Sequence, residues 1–199
     1  MSLRTTQLRI IKFTKDFLLA TRLLQIFQPF NKLFGFIYNF NLLTSWVHKN
    51  KKAQLLTNDF YRPVRHYDDR LKSFTAIADH YRLTDTPVCY LEFGVASGNS
   101  FKWWLATCRN PASRFHGFDT FEGLPESWGV FDKGDMQSPI PEVNDNRASF
   151  YKGIFQDTLN GFIDTHRDEL TNTRKLIHMD ADLFSATLFA LSQLYPYLK

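Results

Sequence analysis

The sequence predicts an α/β protein, a parallel sheet with helices between its strands, preceded by a helical arm. Three observations predict it. From residue 88 onward, short apolar runs rich in β-branched and aromatic residues alternate with stretches of helical periodicity. A glycine-bearing turn follows the first of these runs and opens a helix. Acidic residues close the second and fourth runs, at the strand ends where parallel sheets bind ligands.

The arm spans residues 1–60. Ile10, Phe13, Phe17, Leu24 and Phe27 share one helical face, and Gln28 and Pro29 end that segment. Residues 33–47 form an uncharged run of 15, rich in Phe and Tyr, whose type the pattern leaves open. A membrane-crossing helix needs roughly 20 apolar residues, so this run predicts no span. Lys12, Lys15, Asp16 and Arg22 interrupt the first apolar stretch, so no signal peptide is predicted and the protein reads as cytoplasmic. Residues 1–52 carry nine Lys/Arg and one acid, Asp16, so the net charge of +4 combines a basic arm with a mildly acidic body. The arm reads as a lid or homodimerisation segment. Its interleaved cations and aromatics make peripheral contact with anionic membranes a second reading. They form no stacking platform, which argues against nucleic acid.

Residues 61–199 form the body. Its 44% hydrophobic and 22% charged composition suits a packed domain. Tyr67, Leu71, Phe74, Ala78 and Tyr81 stripe a helix, and Pro87 breaks the pattern. Residues 88–93 form a buried strand, and Phe101, Trp104, Leu105 and Cys108 mark the next helix. A second strand covers 114–119, then a Gly-, Pro- and Asp-rich loop runs from 122 to 147 with Trp128 and Phe131. A third strand at 148–153 leads into a helix striped by Leu159, Phe162, Ile163 and His166. The fourth, 176–179, precedes one striped by Phe184, Leu188, Leu191, Tyr195 and Leu198. Cys89 and Cys108 lie in apolar runs without metal-ligand spacing and read as reduced core thiols.

Four motifs carry the chemistry. In EFGVASGNS at 92–100, Gly94 permits a tight turn and Gly98 a close approach, with Ala96 between them and Ser100 opening the helix. Helix-start amides suit a carboxylate and Glu92 suits an ammonium, so the turn fits an amino acid zwitterion. The spacing is not the G-x-G-x-x-G of dinucleotide enzymes, which disfavours a nicotinamide-dependent oxidoreductase. Asp119, one strand over, is placed to accept both hydroxyls of a ribose. After the third strand, Gln156 is placed to reach a base, while Asp157 reads as a helix cap. Asp180 and Asp182 end the fourth strand two residues apart, so both point to one side if the strand persists. Carboxylates there need a partner, and they suit a hard divalent ion or a substrate hydroxyl.

Together, YLEFGVASGNS at 90–100, GFDTFEGLPESW at 117–128, KGIFQDTL at 152–159 and IHMDADLFSAT at 177–187 resemble the macrocin O-methyltransferase (TylF/MycF-like) family over residues 88–199. The resemblance implies a Rossmann-like class I methyltransferase fold. It implies methyl transfer from S-adenosylmethionine to a hydroxyl of a small molecule, such as a sugar, assisted by magnesium. Carried over, Glu92, Gly94, Ala96, Gly98 and Ser100 surround the methionine part, Asp119 the ribose and Gln156 the adenine. Asp180 becomes the metal ligand, with Asp182 supporting it in catalysis. The family continues with a glycine turn, a fifth strand and an Asp-Asp pair, then two further strands. The expectation is therefore an incomplete domain that binds cofactor weakly and does not turn over. The alternative is a non-catalytic cofactor-binding or interaction module.

Overall fold

The computed structural model describes residues 3–50 and 69–198. Tyr67 of the expected helical stripe and the arm–body junction expected after residue 60 lie outside them. The chain divides into two units, Met1–Pro63 and Val64–Lys199.

In the first unit, α1 (Leu3–Thr21) ends at Arg22, which takes a left-handed φ of 53°. A 3-10 segment, Leu23–Phe30, follows, so the helix expected to run on to Gln28 stops earlier. The open case at 33–47 resolves as a helix, α2 (Asn31–Asn50). Phe13 and Phe17 stack within α1, and Phe30 meets Phe34 at 6.3 Å. Among the described residues, no helix is long and apolar enough to cross a membrane.

The second unit begins with α3 (Asp69–His80) and continues β1 (Val88–Phe93), α4 (Asn99–Thr107), β2 (Arg114–Asp119) and β3 (Ala148–Lys152). Then come α5 (Phe155–Thr165), α6 (Arg167–Asn172), β4 (Arg174–Met179) and α7 (Phe184–Leu194). The four strands form one parallel sheet in the order β3-β2-β1-β4. Every residue of β1 is buried, as expected of a central strand covered on both faces.

Alternation along β1 splits the core in two. Val88 and Tyr90 face one cluster with Phe101, Trp104 and Phe115. Cys89, Leu91 and Phe93 face the other, with Phe118, Phe162 and Leu170. Phe93 stacks on Phe118 at 4.9 Å, and Tyr90 meets Phe115 at 5.6 Å. Each such fully buried side chain contributes about 1.5–3 kcal/mol.

Two details depart from the expected pattern. The helix after β3 breaks at His166 into α5 and α6. Cys89, read as a plain core thiol, lies with His116 and Glu169 in a group whose ligand atoms fall within 4.8 Å of one another. There His116 Nε2 and Glu169 Oε1 are 3.1 Å apart, and burial raises the Cys89 thiol's pKa.

At the far end of the long loop, Arg147 pairs with Asp145 at 2.7 Å and donates to the carbonyls of Leu105 and Cys108. These carbonyls belong to the end of α4, where intrahelical partners run out, so the contact anchors the loop to that helix.

Candidate active site

A cavity of about 900 Å³ opens at the carboxyl ends of the strands. Its walls come from the turn after β1, Asp119 of β2, Ile154–Gln156 after β3, and Asp180–Ala186 after β4. Arg70 and Phe74 of α3 close one side, and Leu124, Pro125, Glu126 and Met136 of the long loop close another. The size suits a small-molecule site. Trp128 and Phe131, expected in this cover, stack on each other at 6.0 Å and do not line the cavity.

The turn after β1 is held by its neighbours. Gly94 has φ +88°, and a Cβ there would sit 2.4 Å from the carbonyl oxygen of Asp180. The Asp180 amide in turn donates to the carbonyl of Phe93 at 2.9 Å. The glycine therefore lets the ends of β1 and β4 approach each other. Ala96, also lining the cavity, takes a left-handed φ of 48°. Gly98, at φ +77°, starts α4 with Pro141 packed where a Cβ would stand.

Asp119 organises this turn. Its Oδ2 accepts the amides of Val95 at 2.7 Å and Ala96 at 2.8 Å, and its Oδ1 accepts the amide of Phe121 at 2.8 Å. A carboxylate offers about four acceptor positions, so one remains for a ligand rather than the pair that two ribose hydroxyls would use. Further amides of the turn are also committed: Gly94 donates to the carbonyl of Phe118 and Gly98 to that of Val95.

Glu92 sits elsewhere than expected. It is fully buried behind the turn and is not part of the cavity wall. The strand period puts it on the Val88–Tyr90 face, where the hydroxyls of Tyr90 and Ser100 donate to its carboxylate. His178, its register neighbour on β4, lies 3.0 Å from the Tyr90 hydroxyl through Nδ1. Burial pushes the Glu92 carboxyl up to about 7 against these hydrogen bonds, which favour the charged form. The group is a buried support for Ser100 and the start of α4.

The sign of its effect on stability follows. A carboxyl raised from 4.5 to about 7 holds its proton in the folded chain over a range where the unfolded chain has lost it. Its contribution is therefore lost as pH rises through that window. Glu92→Gln is expected to gain stability over the parent on the order of 3 kcal/mol at about pH 8, with little difference near pH 4. Urea unfolding of both proteins across this range checks it; parallel stability curves would count against the assignment.

Asp180 and Asp182 both line the cavity. Asp180 Oδ2 accepts from Arg70 at 3.3 Å, both side chains being partly exposed. Burial, then the charges of Asp180 and Asp119, raise the pKa of Asp182. The metal expectation meets an obstacle here. Among the described residues, no third acidic or imidazole group joins Asp180 and Asp182 in a metal-sized cluster, and Asp180 already has a cation partner. The one such cluster is the Cys89 group; it includes a thiol, whereas magnesium takes oxygen ligands.

Gln156 lines the cavity as expected, while Ser100 lines it and also donates to Glu92. Arg70, Phe74 and Trp103 were not singled out as site residues by sequence reasoning. Phe74 was legible only as a core position of a helical stripe. Arg70 belongs to the same helix, one turn before it, with no motif around it.

A parallel sheet of this order, with its cleft beyond the ends of β1, β2 and β4, is the Rossmann-like arrangement in which class I methyltransferases are built. The family model described as a methyltransferase domain matches residues 91–199, and the chain belongs to that family. The chain is also similar in structure to CalS11, a calicheamicin methyltransferase, known from a crystal structure. The TM-score is 0.55 and the identity 23%, covering 78% of this chain and 74% of that one. No curated protein matches the sequence.

Proposed function

We propose that the chain is an S-adenosylmethionine-dependent O-methyltransferase acting on a hydroxyl of a small molecule, of the macrocin (TylF/MycF-like) kind. The observation that carries this reading is the single cavity wall shared by Gly94, Asp119, Gln156, Asp180 and Asp182. Its donor set fits the cofactor: acids for positive centres, an acceptor position on Asp119 for a ribose hydroxyl, and Gln156 beside Phe155 for the base. The structural neighbour's calicheamicin substrate is consistent with a small-molecule acceptor.

When bound, the cofactor supplies an electrophilic methyl group. The protein's part is to align an acceptor oxygen with it and to take the acceptor's proton. Asp182 is suited to the second task, because its raised pKa makes it a better base than an ordinary carboxylate. Asp180, bound to Arg70, shapes the charge beside it. The described residues do not assemble a magnesium site, and no step is assigned to a divalent ion.

The test is a calorimetric titration of the purified chain with S-adenosylmethionine and S-adenosylhomocysteine, carried to millimolar ligand. Saturable one-site binding is expected, abolished in Asp119→Ala. Absence of binding by either ligand would remove the reading.

A further inference from the structure

The cavity wall carries four acidic side chains, Asp119, Glu126, Asp180 and Asp182, and among the described residues one cationic side chain, Arg70. A ligand with two positive centres and one carboxylate has a single cationic side chain at which to place the carboxylate. Sequence reasoning assigned that carboxylate to the amides at the start of α4. In the turn leading to that helix, the amides of Gly94, Val95, Ala96 and Gly98 donate within the protein, to the Phe118 carbonyl, to Asp119 and to the Val95 carbonyl, which leaves only uncharged amides at the helix start for a ligand. A ligand carboxylate placed on the turn amides would have to break hydrogen bonds that hold the turn together.

Arg70 has donors to spare. Its guanidinium spends one N–H on Asp180 Oδ2, at a long 3.3 Å, out of the five it carries. It projects from the first turn of α3 onto the same flank where Gly94 packs against the backbone of Asp180. Planar guanidinium groups bind carboxylates in a two-pronged geometry with a full positive charge, which neutral backbone amides do not offer.

We infer that Arg70 is the residue that binds the carboxylate of the cofactor's amino acid end, exchanging its Asp180 contact for the ligand. This rests on the cofactor reading given above. Asp180 is then freed to face the ligand's positive end, so the ion pair is traded, not lost, on binding.

The experiment compares two ligands that share a nucleoside and a thioether. S-adenosylhomocysteine has the amino acid end, and 5′-methylthioadenosine lacks it. Both are titrated into the parent chain, Arg70→Ala and Arg70→Lys, by ligand-observed NMR or calorimetry. Arg70→Ala is expected to weaken S-adenosylhomocysteine about ten- to hundredfold and to leave 5′-methylthioadenosine within about twofold. Arg70→Lys, which keeps charge without the fork, is expected to recover part of the loss. Equal weakening of both ligands would overturn the inference, because Arg70 would then act through the shape of the site. Unchanged binding of both would overturn it as well. If the parent binds neither ligand, the cofactor reading itself fails and takes Arg70's role with it. If the parent binds both and Arg70→Ala does not discriminate between them, only the inference falls.

Discussion

Gly94→Ala is expected to destabilise the second unit by roughly 3–5 kcal/mol and to abolish ligand binding. Two costs combine. An alanine at φ +88° occupies a backbone region that L-residues rarely adopt, and its methyl group would stand 2.4 Å from the carbonyl oxygen of Asp180. That oxygen belongs to backbone, which cannot swing aside as a flexible side chain would. Relief requires the ends of β1 and β4 to separate, which breaks the hydrogen bond from the Asp180 amide to the Phe93 carbonyl and displaces the acids beyond β4. Guanidinium or urea denaturation measures the loss. An unfolding free energy within about 0.5 kcal/mol of the parent would show that the two strand ends do not need this close approach.

The second large effect is at Asp119. Asp119→Ala leaves the amides of Val95, Ala96 and Phe121 without their acceptor. The site is partly open to water, which offsets some of the cost, so about 2 kcal/mol is expected together with loss of nucleoside binding. Asp119→Asn sharpens the test. Its one carbonyl oxygen replaces either Oδ2, serving the turn, or Oδ1, serving Phe121, but not both. A stability intermediate between parent and alanine is expected, with 5′-methylthioadenosine binding weakened. Asn as stable as Asp would mean that the turn holds its shape without the carboxylate.

These two positions also show how much was legible beforehand. The glycine turn, the acid ending β2 and the acids ending β4 are local patterns, and each proved to lie at the cavity. Their partners were not local. Nothing in the spacing around Asp119 indicates that its lone pairs are taken by the turn it was expected to assist. Glu92 illustrates the same gap. Its strand period places it on the face of Tyr90, but burial depends on Phe101 and Trp104 of α4 closing that face, and on the hydroxyls that receive its charge. An acid with partners of this kind supports the site from behind, whereas one facing a cleft can bind a ligand.

The sequence by itself determined the class of fold, because strand and helix periodicities, a break at Pro87 and glycines at turns are properties of neighbouring residues. It also determined where the cavity would open, since parallel strands place their carboxyl ends on one edge of the sheet. Only the tertiary structure decided which charges meet there. Arg70 reaches Asp180 across 110 positions of the chain, and Glu92 reaches Ser100 through a turn folded back by Asp119. Electrostatic partners are chosen by distance in space, and that distance exists only once the sheet has brought β1, β2 and β4 side by side.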